Sequence, residues 1–173
     1  CPGCLQAAGF YPIKRVIMRV YIAASFKHQH AVEMLTDKLE HLNIEVLSWL
    51  REGRPEEAFL SRRELEHFIL SAEGRRVFKF CADSATKANL VIYLGPSGCD
   101  AWAEVGAAYG AGVPIFGLLA KAEEVGLMRH MLECWCVSVE DLLAKVLDLK
   151  NRLGPLALQV HPQKRPKPEA PTT

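Results

Sequence analysis

The sequence predicts an α/β fold, a three-layer sandwich around a five-stranded parallel sheet of flavodoxin-like, Rossmann-like order. Two observations carry that expectation. Short apolar runs alternate with segments of helical period from residue 18 to about residue 153. The chain has 173 residues, 50% hydrophobic and 24% charged, which is one domain's worth of material with a full core. Strands alternating with helices imply parallel pairing through right-handed crossovers, and five strands in this rhythm fit the order 2-1-3-4-5.

The elements follow in order. Val20-Tyr21-Ile22-Ala23-Ala24, inside MRVYIAAS, is short and apolar enough for a buried strand. Residues 28–42 then place Val32, Leu35, Leu39 and Leu42 at helical spacing. Residues 44–49 make a second strand. A helix is expected over 56–72, with Phe59, Leu60, Leu65, Phe68 and Ile69 on a broad apolar face, and another over 78–88. Leu90-Val91-Ile92-Tyr93-Leu94 is the third strand, 101–111 a helix closed by Gly112, and 113–118 the fourth strand. A helix over 122–133, a short strand at 134–137 and a helix over 139–153 complete the series. Ser138, with Asp141 three residues on, forms a capping box at the last helix, and Gly154-Pro155 is expected to stop it.

The domain therefore spans 18–155. Residues 1–17, opening on Cys1, read as an extension ahead of the fold. Residues 156–173 read as a flexible tail whose last stretch, HPQKRPKPEAPTT, has too many prolines and too few apolar residues to pack. A formal net charge of +1 gives no global field toward nucleic acid or a membrane. No apolar run approaches the roughly 20 residues that span a bilayer, and no secretory h-region is visible, so a cytoplasmic location is expected. The six cysteines, with CPGC at the start and Cys134-x-Cys136 late in the chain, do not match zinc or thioredoxin spacing and read as free thiols. Neither a metal nor another cofactor is expected. His28 and His30, two apart, point to different faces of a helix and make a poor metal pair.

In such a sheet, ligands bind beyond the carboxyl ends of strands 1 and 3. Those ends carry Ala24-Ser25-Phe26-Lys27-His28 and Gly95-Pro96-Ser97-Gly98-Cys99-Asp100. Gly95 and Gly98 allow backbone conformations and close approaches barred to other residues. Asp100 suits the N-cap of the next helix, and the helix end with Ser97 forms a candidate anion site. Glu104 sits in the first turn, where the dipole favours its ionised form by about 0.3–1 kcal/mol. The plain role of such a glutamate is to complement the dipole. Its neighbours Ala101, Ala103, Gly106, Ala107 and Ala108, however, leave room around a carboxylate that has the chemistry of a nucleophile for a sugar carbon. Lys27 or His28 is a candidate partner for a phosphate. Trp49 and Trp102 are candidates for stacking a base, with core packing the plainer role and Trp102 the better placed of the two. Residues 51–79 mix Arg, Glu and aromatics as a lid would, although a solvated amphipathic helix is the plainer reading.

Three stretches, VYIAASF, ANLVIYLGPSG and AEVGAAYGAGVPIFGL, together resemble the nucleoside 2-deoxyribosyltransferase family, whose cousins include 2'-deoxynucleoside 5'-monophosphate N-glycosidases. The resemblance runs from about Met18 to Leu143. Its most specific part is an E-x-G-x-A-x-x-x-G-x-P block matched by Glu104, Gly106, Ala108, Gly112 and Pro114. It implies that Glu104 attacks C1' of a ribosyl or deoxyribosyl group, giving a glycosyl-enzyme that water or a second base resolves with net retention. It implies also that Tyr21 lines the sugar pocket and orients Glu104, and that Ser25, Ser97 and Gly98 occupy the 5'-phosphate region. The chain departs from the family at two aspartates. Counting back eight from Asn89 reaches Cys81, with Asp83 two residues later, and counting back six from Glu104 reaches Gly98, with Asp100 closer.

The function expected is cleavage or transfer of the N-glycosidic bond of a nucleoside or nucleoside 5'-monophosphate, the phosphorylated substrate and hydrolysis being favoured by Ser25, Ser97 and Lys27. The alternative is a non-catalytic nucleotide-binding module that has lost its leaving-group acid. GPSGCDAWAE fits only part of the P-G-G-x-G-T-x-x-E pattern of phosphoribohydrolases. The partners expected are a small nucleoside or nucleotide and a second copy of the chain in a homodimer, with no nucleic acid polymer and no membrane.

Overall fold

A computed structural model describes residues 17–52, 61–121, 123 and 126–156. The expected N-terminal extension up to residue 16, the tail from residue 157 and residues 53–60 lie outside the described residues. The strands are β1 (Arg19–Ala24), β2 (Glu45–Leu47), β3 (Leu90–Leu94), β4 (Ile115–Leu118) and β5 (Cys134–Cys136). The helices are α1 (Gln29–His41), α2 (Trp49–Glu52), α3 (Arg62–Leu70), α4 (Ala72–Lys87), α5 (Cys99–Ala111) and α6 (Val139–Leu156). One sheet takes the order β2-β1-β3-β4-β5 with every neighbouring pair parallel, as the alternation predicts.

Parallel central strands buried on both faces need continuous apolar sequence, and LVIYL in β3 is buried at all five positions. Val20, Ile22, Leu90, Ile92, Ile115 and Leu142 anchor the core. Right-handed crossovers put α1 on one face of the sheet and α4 and α5 on the other. Lys150 on α6 reaches the carbonyls of Leu42 and Asn43 at the end of α1, so α6 shares the α1 face. Gly112 closes α5 in the left-handed region at φ 74°, the conformation for which glycine has no Cβ penalty. Ser138 accepts from the Asp141 amide at 3.1 Å while the Asp141 carboxylate accepts from Val137 N–H at 3.3 Å, which caps α6.

Five elements depart from the sequence expectation. The strand expected over 44–49 ends at Leu47, because Trp49 turns inward to start α2. Its indole N–H donates to the Ile22 carbonyl at 3.1 Å, and Phe26 meets its ring edge-on at 4.7 Å. The helices expected over 56–72 and 78–88 are instead parted by one residue, Ser71, which ends α3 and caps α4 by accepting from Gly74 N–H at 3.0 Å. Within 122–133 the described residues form only a short 3-10 turn, Leu127–Met131. The last helix passes Gly154-Pro155 and ends at Leu156, a displacement of the size by which helix ends vary.

The α3–α4 elbow is tight because Gly74 is buried against backbone. A Cβ on Gly74 would meet the Phe68 carbonyl oxygen, with the Ile69 carbonyl oxygen at 3.0 Å. Backbone there cannot yield as a side-chain tip would, so Gly74→Ala is expected to destabilise the fold by about 1–3 kcal/mol, read as a lowered urea midpoint at unchanged slope.

Candidate active site

Tyr21 lies in the middle of β1, paired in register with Leu47 of β2 and Val91 of β3, and is fully buried. Its hydroxyl donates to Glu104 Oε1 on α5 at 2.7 Å. The sheet fixes one end of this hydrogen bond and the helix the other. Burial, with the neighbouring Glu104 charge, pushes the Tyr21 phenol far above its usual range, so it stays a neutral donor. Glu104 is partly buried. Desolvation pushes its carboxyl up to about 7, hydrogen bonds from Tyr21 and Cys81 pull it down, and the Asp100 charge raises it further. The chain starts α5 at Cys99 with Gly98 as N-cap, so Glu104 stands in the second turn and Asp100 inside the first. The expectations of Asp100 as cap and of a dipole-favoured Glu104 are thus corrected: burial outweighs the helix end.

Cys81, on α4, interacts with both Tyr21 and Glu104, and burial pushes its thiol up to about 11. Asp83 points elsewhere, into ion pairs with Lys79 and Lys87 at 3.0 Å each. The strict count from Asn89 therefore describes what faces Glu104. No carboxylate replaces Cys81 there by a shift of the helix.

The loops after β1 and β3 are tied to each other. Ser25 N–H donates to Ser97 Oγ at 2.9 Å, and Ser97 Oγ–H donates to the Leu94 carbonyl at 2.7 Å. His28 Nε2 donates to the Pro96 carbonyl at 2.7 Å, which requires the proton to sit on that nitrogen. Ser25 Oγ accepts from Lys27 N–H at 3.4 Å, while the Lys27 side chain is exposed. Ala24 ends β1 opposite Leu94, bringing the two loops side by side.

Neither Gly95 nor Gly98 uses a left-handed backbone; Gly98 has φ −81°. Their roles differ. A Cβ on Gly95 would overlap the carboxylate of Glu123 and lie 2.8 Å from the Tyr93 ring, so this glycine is filled from within the protein. Around Gly98 and Gly106 there is open space, as the run of small residues implies. Trp102 packs on Tyr93 with ring centroids 4.6 Å apart, and Trp49 is core.

Glu123 is the member that sequence reasoning missed. Its Oε1 accepts from Tyr93 O–H at 2.8 Å, and that same hydroxyl accepts from Ser97 N–H at 3.1 Å. Burial and the Glu123 carboxylate raise the Tyr93 phenol, and the Ser97 amide offsets part of this, leaving it at about 12. Elsewhere, a cavity of about 220 Å³ is lined by Glu33, Thr36, Asp37, Ser48, Leu50 and Arg51, none of them a member of this cluster. Among the described residues no group of three or more His, Cys, Asp or Glu is arranged to hold a metal, and no helix is long and apolar enough to cross a membrane.

No family model matches the sequence, and no curated protein matches it. Among solved structures, the chain is similar to a 2-deoxyribosyltransferase from Bacillus psychrosaccharolyticus, with a TM-score of 0.51 and 23% identity over 72% of this chain and 89% of that one. It is similar to a conserved protein from Enterococcus faecalis with a TM-score of 0.57 and 15% identity, over 79% of this chain and 99% of that one. A CMP N-glycosidase from Clostridium botulinum aligns over 76% of this chain and 98% of that one at 25% identity, with a TM-score of 0.45. The first two likenesses show a shared fold, the parallel α/β sandwich expected from the sequence.

Tyr21→Phe removes a donor to the Glu104 carboxylate while keeping the ring. Losing a hydrogen bond to a charged group favours the protonated form, so the Glu104 titration is expected to move from about 7 upward by about one unit, measured by side-chain carboxyl NMR.

Proposed function

We propose that the protein is an enzyme of the nucleoside 2-deoxyribosyltransferase-like kind, acting on the N-glycosidic bond of a nucleoside or nucleoside 5'-monophosphate with Glu104 as nucleophile. The observation that carries this reading is the 2.7 Å Tyr21–Glu104 hydrogen bond, which holds a desolvated carboxylate at the switch point of a parallel sheet. The fold shared with a 2-deoxyribosyltransferase and the sequence block led by Glu104 support it.

The chemistry follows from the geometry. Tyr21 holds Glu104 Oε1, Cys81 also bonds the carboxylate, and in this reading a remaining carboxylate lone pair attacks C1'. As the C1'–O bond forms, the C1'–N bond breaks and its electron pair leaves with the base. Water or a second base then attacks C1' from the vacated face, releasing Glu104 and giving net retention. Tyr21 remains neutral throughout and steadies the carboxylate in the resting enzyme. Partial desolvation strengthens the nucleophile by removing the water that would otherwise solvate its charge. The open space at Gly98 and Gly106 leaves room for the sugar beside Glu104.

Cys81 beside Glu104, with its thiol held protonated, supports a second reading, a nucleotide-binding module without a strong acid for the leaving base. Base release from a panel of ribo- and deoxyribonucleosides and their 5'-monophosphates separates the two. Release is expected from one class, with kcat/KM rising as pH increases through about 7 because only ionised Glu104 attacks, and with a loss of at least about a thousandfold in Glu104→Ala. Binding without release from any member would replace the enzyme by the binding module.

A further inference from the structure

Breaking the C1'–N bond of an ordinary nucleoside leaves negative charge on the base, and a general acid beside the bond meets it with a proton. Among the described residues, the groups that face Glu104 do not include such an acid. The Tyr21 hydroxyl spends its proton on Glu104 Oε1 at 2.7 Å, and its phenol is held far above the usual range. Cys81, on the neighbouring α4, is a thiol that burial pushes up to about 11, and its hydrogen bonds go to Tyr21 and Glu104. Asp100, on α5 itself, acts on Glu104 as a negative charge. Asp83, two residues on from Cys81, is clamped between Lys79 and Lys87 at 3.0 Å each. In the loop after β1, His28 Nε2 donates to the Pro96 carbonyl at 2.7 Å, and Lys27 is exposed. The nucleophile is held in place; a proton for its leaving group is not.

We propose that the preferred substrate of this site is a nucleoside whose base already carries a positive charge, as a pyridinium or an N7-alkylated purine N-glycoside does. The inference rests on the Glu104 reading and deepens it by naming the substrate class. As Glu104 forms the C1'–O bond, the electron pair of the C1'–N bond returns to the charged ring. A neutral base departs and no proton is transferred to it. Water then attacks C1', frees Glu104 and gives up one proton to solvent, which balances the charge. Asp100 contributes attraction, since a negative charge near Glu104 favours a cation bound beside it. The thiol at position 81 suits this chemistry. A second carboxylate there would share a proton with Glu104 and weaken the nucleophile, to no benefit for a substrate that needs no acid.

Base release by the unaltered chain tests this, with guanosine against 7-methylguanosine, 2'-deoxyguanosine against 7-methyl-2'-deoxyguanosine, and nicotinamide riboside. The assay is run at slightly acid pH, where the methylated bases keep their charge. Because a general acid contributes at least about a hundredfold, kcat/KM for a methylated nucleoside is expected to exceed that of its unmodified partner by about that factor or more. For nicotinamide riboside, kcat/KM is expected to rise through about 7 and then level off, because no enzyme acid has to stay protonated. Cys81→Asp, which places a carboxyl able to hold a proton beside Glu104, is expected to narrow the ratio within a pair at least about tenfold. An unmodified nucleoside cut as fast as its methylated partner overturns the inference, whether or not the Cys81 variant folds. If that release is lost in Glu104→Ala, the Glu104 reaction stands without it. Release of charged bases that survives Glu104→Ala removes the Glu104 reaction and leaves the substrate preference. No release from any member removes both.

Discussion

The hydrogen bond from Tyr21 to Glu104 is the constraint around which the rest is arranged. A phenol in the second-from-edge strand can reach a helix carboxylate only if β1 keeps its register with β2 and β3 and if α5 lies close over the sheet. Small residues on α5 satisfy the second condition, since Ala101, Val105 and Ala108 are buried against the strands. Burial of the carboxylate has a thermodynamic consequence. The folded state holds the Glu104 proton more tightly than the unfolded chain, with a titration at about 7 against 4.5. Stability from this group is therefore complete below about pH 4.5 and declines as pH rises toward 7, by at most about 3 kcal/mol. The ionised form that suits a nucleophile is thus the less stable one, as expected of a site held in place by its surroundings.

A second layer of order comes from the loops. Ser25, Ser97, His28 and Pro96 bind the ends of β1 and β3 into one unit, so the space over the sheet has walls that do not depend on a ligand. Rigid walls reduce the ordering cost of binding. They also commit polar groups that, seen in sequence, read as free to meet a substrate.

The strands and their order were legible because parallel strands buried on both faces leave short, continuous apolar runs, and the alternation with helices leaves little topological freedom. Glu104 and Tyr21 were legible through the small-residue block and the first strand. What could not be read were properties made by packing. Ser71 ends one helix and begins another through two local hydrogen bonds, where helical periodicity alone suggests a longer gap. Glu123 sits at the start of a stretch expected as a helix, and only the fold brings it to Gly95 and Tyr93. The glycine at 95 looked like an opening for a ligand and is instead occupied by that carboxylate. Asp83, two residues past the position at which the resembled family has an aspartate, was a candidate to serve there, but its helix turns it toward Lys79 and Lys87.

The outer strands β2 and β5 are each only three residues long. A strand at the margin of a sheet offers its unpaired backbone groups to any other chain, and brevity limits that offer to one or two hydrogen bonds. The exposed apolar side chains, meanwhile, lie largely on helices. Margins as brief as β2 and β5 give another copy of the chain little backbone with which to extend the sheet.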